Sequence, residues 1–218
     1  MDTQQLSLAE ELLLLALNDE KGTVVAAASI GLPYGLAGAA LIELVDAGLL
    51  RLEEKEVVPA PSGSAGDDLL DGILAVVRSS KKTRAVGHWV GKLGRTGGRI
   101  KRQLLDRLVA KRILVKEERR LLWLIPTSRY PQTNPMPEYK VRERIRAALR
   151  GITPPDERTA ALIGLVQACD LIGVLFERGE RREAAKKAKE IVKSQPIGSA
   201  VVRAVQAVKT AVIAAAGS

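Results

Sequence analysis

Aromatic side chains are scarce in this chain of 218 residues, at 3% of the sequence, although the apolar class as a whole makes up 46%. The core must therefore consist of leucine, valine, alanine and isoleucine, a mixture typical of packed helices rather than of a β-sandwich. There is one cysteine, Cys169, and one histidine, His88. This excludes an intramolecular disulfide and a His/Cys set for structural zinc. We predict a mainly α fold without a metal centre.

Long hydrophobic runs and targeting signals are also absent. The first residues carry no basic segment, and the apolar run Leu12–Leu17 is too short to span a membrane and follows two glutamates. We therefore expect neither a signal peptide nor a membrane span.

Basic residues are rare in the first third of the chain. Residues 1–75 carry 3 basic and 13 acidic side chains, a net charge of −10, whereas residues 76–218 carry 31 and 12, a net charge of +19. This separation indicates that one face or end of the molecule attracts a polyanion, either nucleic acid or an anionic membrane surface.

Helical spacing and capping signals predict the order of the elements. A capping box of Ser7 and Glu10 starts a helix that runs to Asn18, and a glycine-spaced loop over 29–38 leads into a second helix that ends at Gly48. Further helices are expected over 67–77, 100–111, 138–150, 155–176, 180–193 and 197–215. Hairpins are expected over 49–59 and, with Glu117–Arg120 as the connection, over 114–125.

These elements favour one compact helical domain over 1–218 with two short β-hairpins, each following a helix. The arrangement resembles the winged-helix module. The low-complexity stretch 59–66 is short enough to be a surface loop, and 126–137 is a second loop, bounded by prolines.

No constellation of catalytic residues can be assembled from this sequence. There is no hydrolase triad, Walker loop or dinucleotide fingerprint, and the one histidine and one cysteine lie in apolar surroundings. We expect Cys169 to belong to the core and His88 to be structural. The prediction is a protein that is not an enzyme and needs no cofactor.

A basic, glycine-containing segment over 91–102 leads straight into the helix 100–111. Free amides at a helix start, together with the close backbone approach that glycine allows, bind phosphate-like anions. At 100° per residue, Lys101 points to the apolar side of this helix, so it needs an anionic ligand, a water-filled cleft or an internal salt bridge to an acidic residue of the first half.

Five segments in the same order resemble the Golgi phosphoprotein 3 family. They are Leu6–Leu17, Gly38–Leu44, Leu108–Leu114, Pro131–Asn134 and Ala161–Ile172. The resemblance covers nearly the whole chain, which looks like a compact, prokaryotic-type relative because the long polar N-terminal extension of eukaryotic members is missing.

The resemblance implies a non-enzymatic peripheral membrane protein that binds phosphatidylinositol 4-phosphate on a basic surface. It also implies a role as adaptor for the cytosolic tails of membrane enzymes. The expected location is the cytosolic face of a membrane, the Golgi in a eukaryote and the plasma membrane in a prokaryote.

The headgroup pocket of the family aligns with Ala28, Ala37, Gly98 and Lys101, of which only Lys101 keeps a residue type used there. Neighbouring positions supply the remaining candidates for headgroup binding, namely Arg95, Arg99, Arg102 and Tyr34.

The second predicted hairpin carries Leu122, Trp123 and Leu124, which suit membrane insertion by resemblance. Burial against the helices or in a homo-oligomer interface is the other interpretation.

An alternative function is a winged-helix nucleic-acid-binding protein. The segment 36–46 has no basic residue with which to read DNA, whereas 100–111 has the charge to bind phosphates.

Overall fold

Helices make up most of the residues that the structure, a computed structural model, describes, which are 5–121, 125–193 and 196–216. The α-helices are α1 (Leu8–Ala16), α2 (Leu32–Asp46), α3 (Asp68–Arg78), α4 (Val86–Arg95), α5 (Gly97–Ala110), α6 (Met136–Leu149), α7 (Glu157–Ala168), α8 (Ile172–Leu175), α9 (Arg181–Lys193) and α10 (Pro196–Ala216). The strands are β1 (Leu50–Glu53), β2 (Glu56–Pro59), β3 (Arg84–Ala85), β4 (Glu117–Leu121) and β5 (Ile125–Arg129). The mainly α fold is confirmed.

Two small antiparallel sheets lie beside the helices. The first has the order β1-β2-β3, with Leu50 opposite Pro59 in its hairpin. The second is the hairpin β4-β5, in which Glu117 lies opposite Arg129.

Helix α2 is the centre of the core. It packs against α1, α4, α5, α7 and α10. Its leucines Leu32, Leu36 and Leu44 are almost completely buried, and so are the alanines between them. A helix that is apolar on nearly all sides must be surrounded by other elements, and the five neighbouring helices surround α2 in this way.

Small residues let the neighbouring helices approach α2 closely. A Cβ added to Gly38 would lie 2.7 Å from Val201 Cγ1 on α10. Between α7 and α10, a Cβ added to Gly164 would lie 2.6 Å from Val202 Cγ2. Such distances are shorter than van der Waals contact, so no larger residue fits without moving a helix.

The same contacts fix the direction of α10. Its residue Val201 lies beside Gly38 in the middle of α2, and Lys209, two turns later, lies beside Gly31 at the start of α2. The two helices are therefore antiparallel, and the C-terminal end of α10 lies next to the N-terminal end of α2.

Helices α4 and α5 reach this end as well. The ring of Tyr34 packs on Gly94 in the last turn of α4, and Pro33 lies against Gly97 at the start of α5. The start of α2, the end of α4, the start of α5 and the end of α10 thus meet at one end of the molecule, which we call the α2 end.

The first turn of α1 carries a buried carboxylate with two partners, Ser7 and Lys111. Glu10 accepts a hydrogen bond from the Ser7 amide at 2.8 Å, and the Ser7 hydroxyl in return accepts one from the Glu10 amide at 3.1 Å. This is the capping box that the sequence predicts. Glu10 also pairs with Lys111 from the end of α5 at 2.6 Å.

The next residue, Glu11, is also buried and pairs with Arg144 at 2.7 Å and Arg158 at 3.6 Å. Burial raises the pKa of Glu11, and the two arginines counteract that rise. If either partner moved away, the other would be left as an uncompensated buried charge. These pairs therefore fix α1 against α6 and α7.

Most predicted element positions are confirmed. The hairpin β1-β2 has the predicted strands, α3 starts after its N-cap Asp67, and α5, α6, α9 and α10 lie within a few residues of the expected bounds. Cys169 is fully buried in the core, as predicted.

The glycine-spaced loop expected over 29–38 is wrong. From Leu32 onward this segment is already helix α2, and Gly35 and Gly38 lie inside it. The glycines mark close packing against Cys169 and α10 rather than a turn. In the same way, Gly91 and Gly94 of the basic segment belong to helix α4.

Three further boundaries differ. The segment Glu117–Arg120, expected to connect the second hairpin, is part of strand β4, so the strands lie later in the chain than predicted. The helix expected over 155–176 is interrupted at Asp170, whose φ of 59° starts a turn between α7 and α8. Helix α1 ends at Ala16, and Leu17 forms a single bridge with Val24.

Replacing Glu43 by glutamine tests the cost of a buried charge on α2. Burial raises the pKa of Glu43 to about 7, although its Oε1 accepts a hydrogen bond from the Leu8 amide at 2.6 Å. Folding therefore takes up a proton between the unfolded pKa near 4.5 and about 7, and stability falls as the pH rises through this window.

The Glu43→Gln side chain keeps the acceptor for Leu8 and removes the charge. We expect it to raise the free energy of unfolding by about 1–3 kcal/mol above pH ~7 and to change it little below pH ~4.5. Urea unfolding at both pH values measures this. A loss of stability above neutral pH would show that attraction to Arg158, 4.0 Å away, outweighs the burial cost.

Candidate functional site

Five cations lie together at the α2 end of the molecule. Lys92 and Arg95 are in the last turn of α4, and Arg99, Lys101 and Arg102 are in the first turns of α5. We call these five residues the basic surface. All are exposed except Lys101, which is half-buried.

No acidic side chain among the described residues pairs with the basic surface, although the Asp106 carboxylate lines the same cleft as Lys101 and Arg102. The five side chains make no hydrogen bond or salt bridge within the described residues, and Lys92 Nζ lies 5.2 Å from the centroid of the Trp89 ring. Unpaired cations in neighbouring helical turns repel one another, and an external anion relieves that repulsion.

Lys101 faces the protein, as predicted, but the internal salt bridge considered for it is absent from the described part of the chain. The acidic residues of the first half that are half-buried or buried near α5 pair with other cations: Glu10 with Lys111, and Asp67 with Arg107 at 2.7 Å. Lys101 instead separates two clefts and lines both.

The larger cleft, of about 720 Å³, lies between α5, the segment after α1 and the end of β5. It presents three ammonium or guanidinium groups, three hydroxyl groups and one carboxylate, from Lys101, Arg102, Lys116, Thr23, Ser128, Tyr130 and Asp106. This combination of cations and hydroxyl groups suits a phosphate-bearing polyol. Lys116 and the hydroxyl groups carry no local signal in the sequence, because only the tertiary fold brings them beside α5.

The smaller cleft, of about 190 Å³, adjoins the larger one at Val24, Gly98 and Lys101 and lies between the start of α2 and the start of α5. Gly97 and Gly98 line it. No side chain caps the first amides of α5, since the Thr96 hydroxyl donates to the Leu93 carbonyl at 2.9 Å instead. The positive end of the helix dipole therefore points into this cleft.

The remaining aligned pocket positions differ in accessibility. Ala28 and Ala37 are fully buried, so neither position contacts a ligand in this chain. Gly98 is exposed, and a Cβ added there would meet no atom within 4 Å. Tyr34 is half-buried against Gly94 and does not line either cleft.

His88 is exposed rather than part of the apolar core. Its ring meets the buried Trp89 ring edge-on at 5.2 Å. Partial desolvation lowers the pKa of His88, and Arg84, Lys92 and Arg95 nearby lower it further. The imidazole of His88 is therefore mostly neutral at neutral pH and adds little to the positive charge of α4.

The thiol of Cys169 is not accessible at this site. Cys169 is fully buried, and burial raises the pKa of its thiol to about 12, so it remains protonated at neutral pH. Among the described residues, no three His, Cys, Asp or Glu side chains are placed to hold a metal ion.

The hairpin residues Leu122, Trp123 and Leu124 lie outside the described residues, so their predicted role in insertion or in an oligomer stays a prediction. Among the helices that the structure describes, none is sufficiently long and apolar to cross a membrane.

The chain was compared with known proteins and with models of protein families. No curated protein matches the chain. The family model for Golgi phosphoprotein 3 (GPP34) matches residues 8–208, which include α1 through most of α10 and therefore both clefts and the whole basic surface. The chain belongs to the Golgi phosphoprotein 3 family.

Proposed function

We propose that the protein binds anionic phospholipid headgroups at a membrane surface through the basic surface at the α2 end. The observation that carries this proposal is the set of five neighbouring cations whose side chains make no salt bridge within the described chain. Each basic side chain near an anionic leaflet contributes about 1 kcal/mol, so these five suffice for reversible association without a covalent lipid.

The preferred headgroup in this proposal is phosphatidylinositol 4-phosphate. A phosphorylated inositol carries several anionic oxygens and several hydroxyl groups, which match the cations and hydroxyl groups of the larger cleft. Family membership supports the same choice. Lys101 then binds the phosphate, while Arg95, Arg99 and Arg102 face the surrounding anionic lipids.

The proposal places the protein on the cytosolic face of a membrane and includes no catalytic step. In this proposal the protein occupies the membrane in which phosphatidylinositol 4-phosphate is abundant. Nucleic acid, the alternative polyanion, is included in the tests as a competitor, because phosphate contacts give both ligands a similar dependence on salt.

An adaptor role for protein tails is a second part of the proposal. Three acidic residues of the first half, Glu10, Glu11 and Asp67, are already paired inside the protein. The turn of the first hairpin, where Glu53, Glu54 and Glu56 are exposed, is an acidic region accessible to a basic tail, although Glu53 also pairs with Arg51 at 2.5 Å.

Reversing the charge of Arg95, Arg99 and Arg102 to glutamate tests the basic surface. We expect loss of sedimentation with anionic vesicles and unchanged helical content, because these side chains are exposed and make no internal contact that folding needs. Salt should weaken the wild type in parallel, since the attraction is screened over about 8 Å at physiological ionic strength.

The matched control makes the same change of charge on α9 and the turn before it, at Arg178, Arg182 and Lys186. These cations are also exposed and unpaired within the described residues, and α9 packs on α6, α7 and α8, away from the clefts. An equal loss of vesicle binding in both variants would show that only the net charge matters. If duplex DNA at an equal phosphate concentration displaces the protein from the vesicles, a nucleic-acid ligand is favoured.

The variant Lys101→Met tests the residue shared by the two clefts. Because Lys101 pairs with no carboxylate among the described residues, we expect its removal to keep or slightly raise the melting temperature while vesicle binding weakens. Thermal melts with and without short-chain phosphatidylinositol 4-phosphate measure both effects. Normal lipid binding together with a large loss of stability would show that the lysine is structural.

The variant Gly98→Arg tests the open position beside Lys101. A guanidinium three residues before Lys101 projects from the same face of α5, and the site has room for it. We expect roughly tenfold tighter binding to vesicles with phosphatidylinositol 4-phosphate. The matched control is Gly72→Arg, an equally open position on α3 that lines neither cleft. Equal gain from both variants would contradict a specific pocket.

A further inference from the structure

The last turns of α10 form an apolar projection beside the basic surface. Between Lys209 and Ala216 the helix carries no charged residue, and every residue from Thr210 to Ala215 is exposed. Val212 is 37% and Ile213 is 49% exposed.

This projection continues a stripe that is buried elsewhere on the same helix. Val201 and Val205 are 2% and 0% exposed, Val208 is half-buried, and Val212 follows at the same helical spacing. The stripe therefore extends about one turn beyond the part of the protein that covers it.

The position of the projection is fixed by Lys209. Its Nζ donates to the Ala168 carbonyl at 3.0 Å and pairs with Asp170 at 2.8 Å, and its stem lies against Gly31. Ile213 is one turn further on the same face of the helix. The apolar turns thus begin where α10 passes the start of α2.

The loop before α2 adds a second exposed apolar group at this end. Ile30, next to Gly31, is 44% exposed, and Ser29 lines the smaller cleft with Lys101. Exposed apolar side chains from α10 and from this loop therefore lie at the same end of the molecule as the five cations.

We propose that the C-terminal turns of α10, with Ile213 as the leading side chain and Ile30 beside them, insert among the acyl chains of the membrane to which the basic surface binds. The inference rests on the proposed function. A lipid surface is the occupant that the charges favour, because an anionic leaflet offers headgroups to the cations and an apolar layer just below them. A second copy of this chain would instead bring two basic surfaces together.

The first experiment places an environment-sensitive fluorophore on a cysteine at position 213. The native Cys169 is fully buried, so the label reacts selectively with Ile213→Cys. The matched control is Ile152→Cys, which is 72% exposed on the loop before α7. Since α7 ends beside Gly31, its start lies about 16 Å from the α2 end.

With phosphatidylcholine vesicles that contain phosphatidylserine, we expect the emission of the label at position 213 to shift to the blue and to be quenched by brominated acyl chains. The label at position 152 should not respond. Vesicle binding of the labelled protein without any response at position 213 would overturn the inference and leave the proposed function standing. Absence of vesicle binding by the unlabelled wild type would overturn both.

The second experiment measures affinity. The double variant Val212→Ser and Ile213→Ser should lower the partition coefficient onto the same vesicles roughly tenfold, with Ile152→Ser as the control without effect. Circular dichroism checks the fold of each variant. If sedimentation velocity without lipid shows a wild-type dimer that the double variant converts to a monomer, the occupant is a second copy and the inference is wrong.

Discussion

Buried ion pairs between the acidic first third and the basic remainder of the chain determine where positive charge is left over. Glu10 and Glu11, at the start of α1, lie inside the protein and bind Lys111 and Arg144. Such pairs contribute little net stability, but losing either partner is costly. They hold α1 against α5 and α6, and they neutralise cations there, so the cations near the junction of α4 and α5 remain uncompensated.

Close packing around α2 decides where those cations lie. Gly31 and Gly38 allow side chains of α10 to pack directly on the backbone of α2, and Gly97 brings the start of α5 against Pro33 of α2. The ends of four helices consequently meet at the α2 end, and the helix dipole of α5 adds to the charge of its first turns. Ion pairs elsewhere in the protein use other cations and leave these without a partner among the described residues. Packing then brings the helices that carry them together at the α2 end.

The two proposals describe complementary contributions to one association. Cations of the basic surface give long-range attraction that salt screens, whereas the apolar turns of α10 act only at contact and are insensitive to salt. Interfacial association commonly needs two such signals, because either alone gives marginal binding. Lys209 couples them structurally, since it fixes the start of the apolar turns beside the loop that leads into α2.

Local sequence was sufficient for the features that depend on neighbours along the chain. The capping box of Ser7 and Glu10, the hairpin β1-β2 and the amphipathic helix α5 follow from hydrogen bonds and periodicity within a few residues. The inward direction of Lys101 followed from helical geometry alone. In contrast, glycines at positions 35 and 38 resembled a loop, because a glycine in a turn and a glycine at a helix contact have the same local signature.

The tertiary structure alone decided which charges are free and what surrounds Lys101. Glu10 and Lys111 are 101 residues apart in the chain, so no local pattern pairs them. For the same reason, Lys116, Ser128 and Tyr130 join the larger cleft only when the hairpin β4-β5 folds beside α5. The sequence determined the amount of positive charge and the elements that carry it. Long-range contacts determined where that charge is exposed, because burial and ion pairing depend on distances in space and not along the chain.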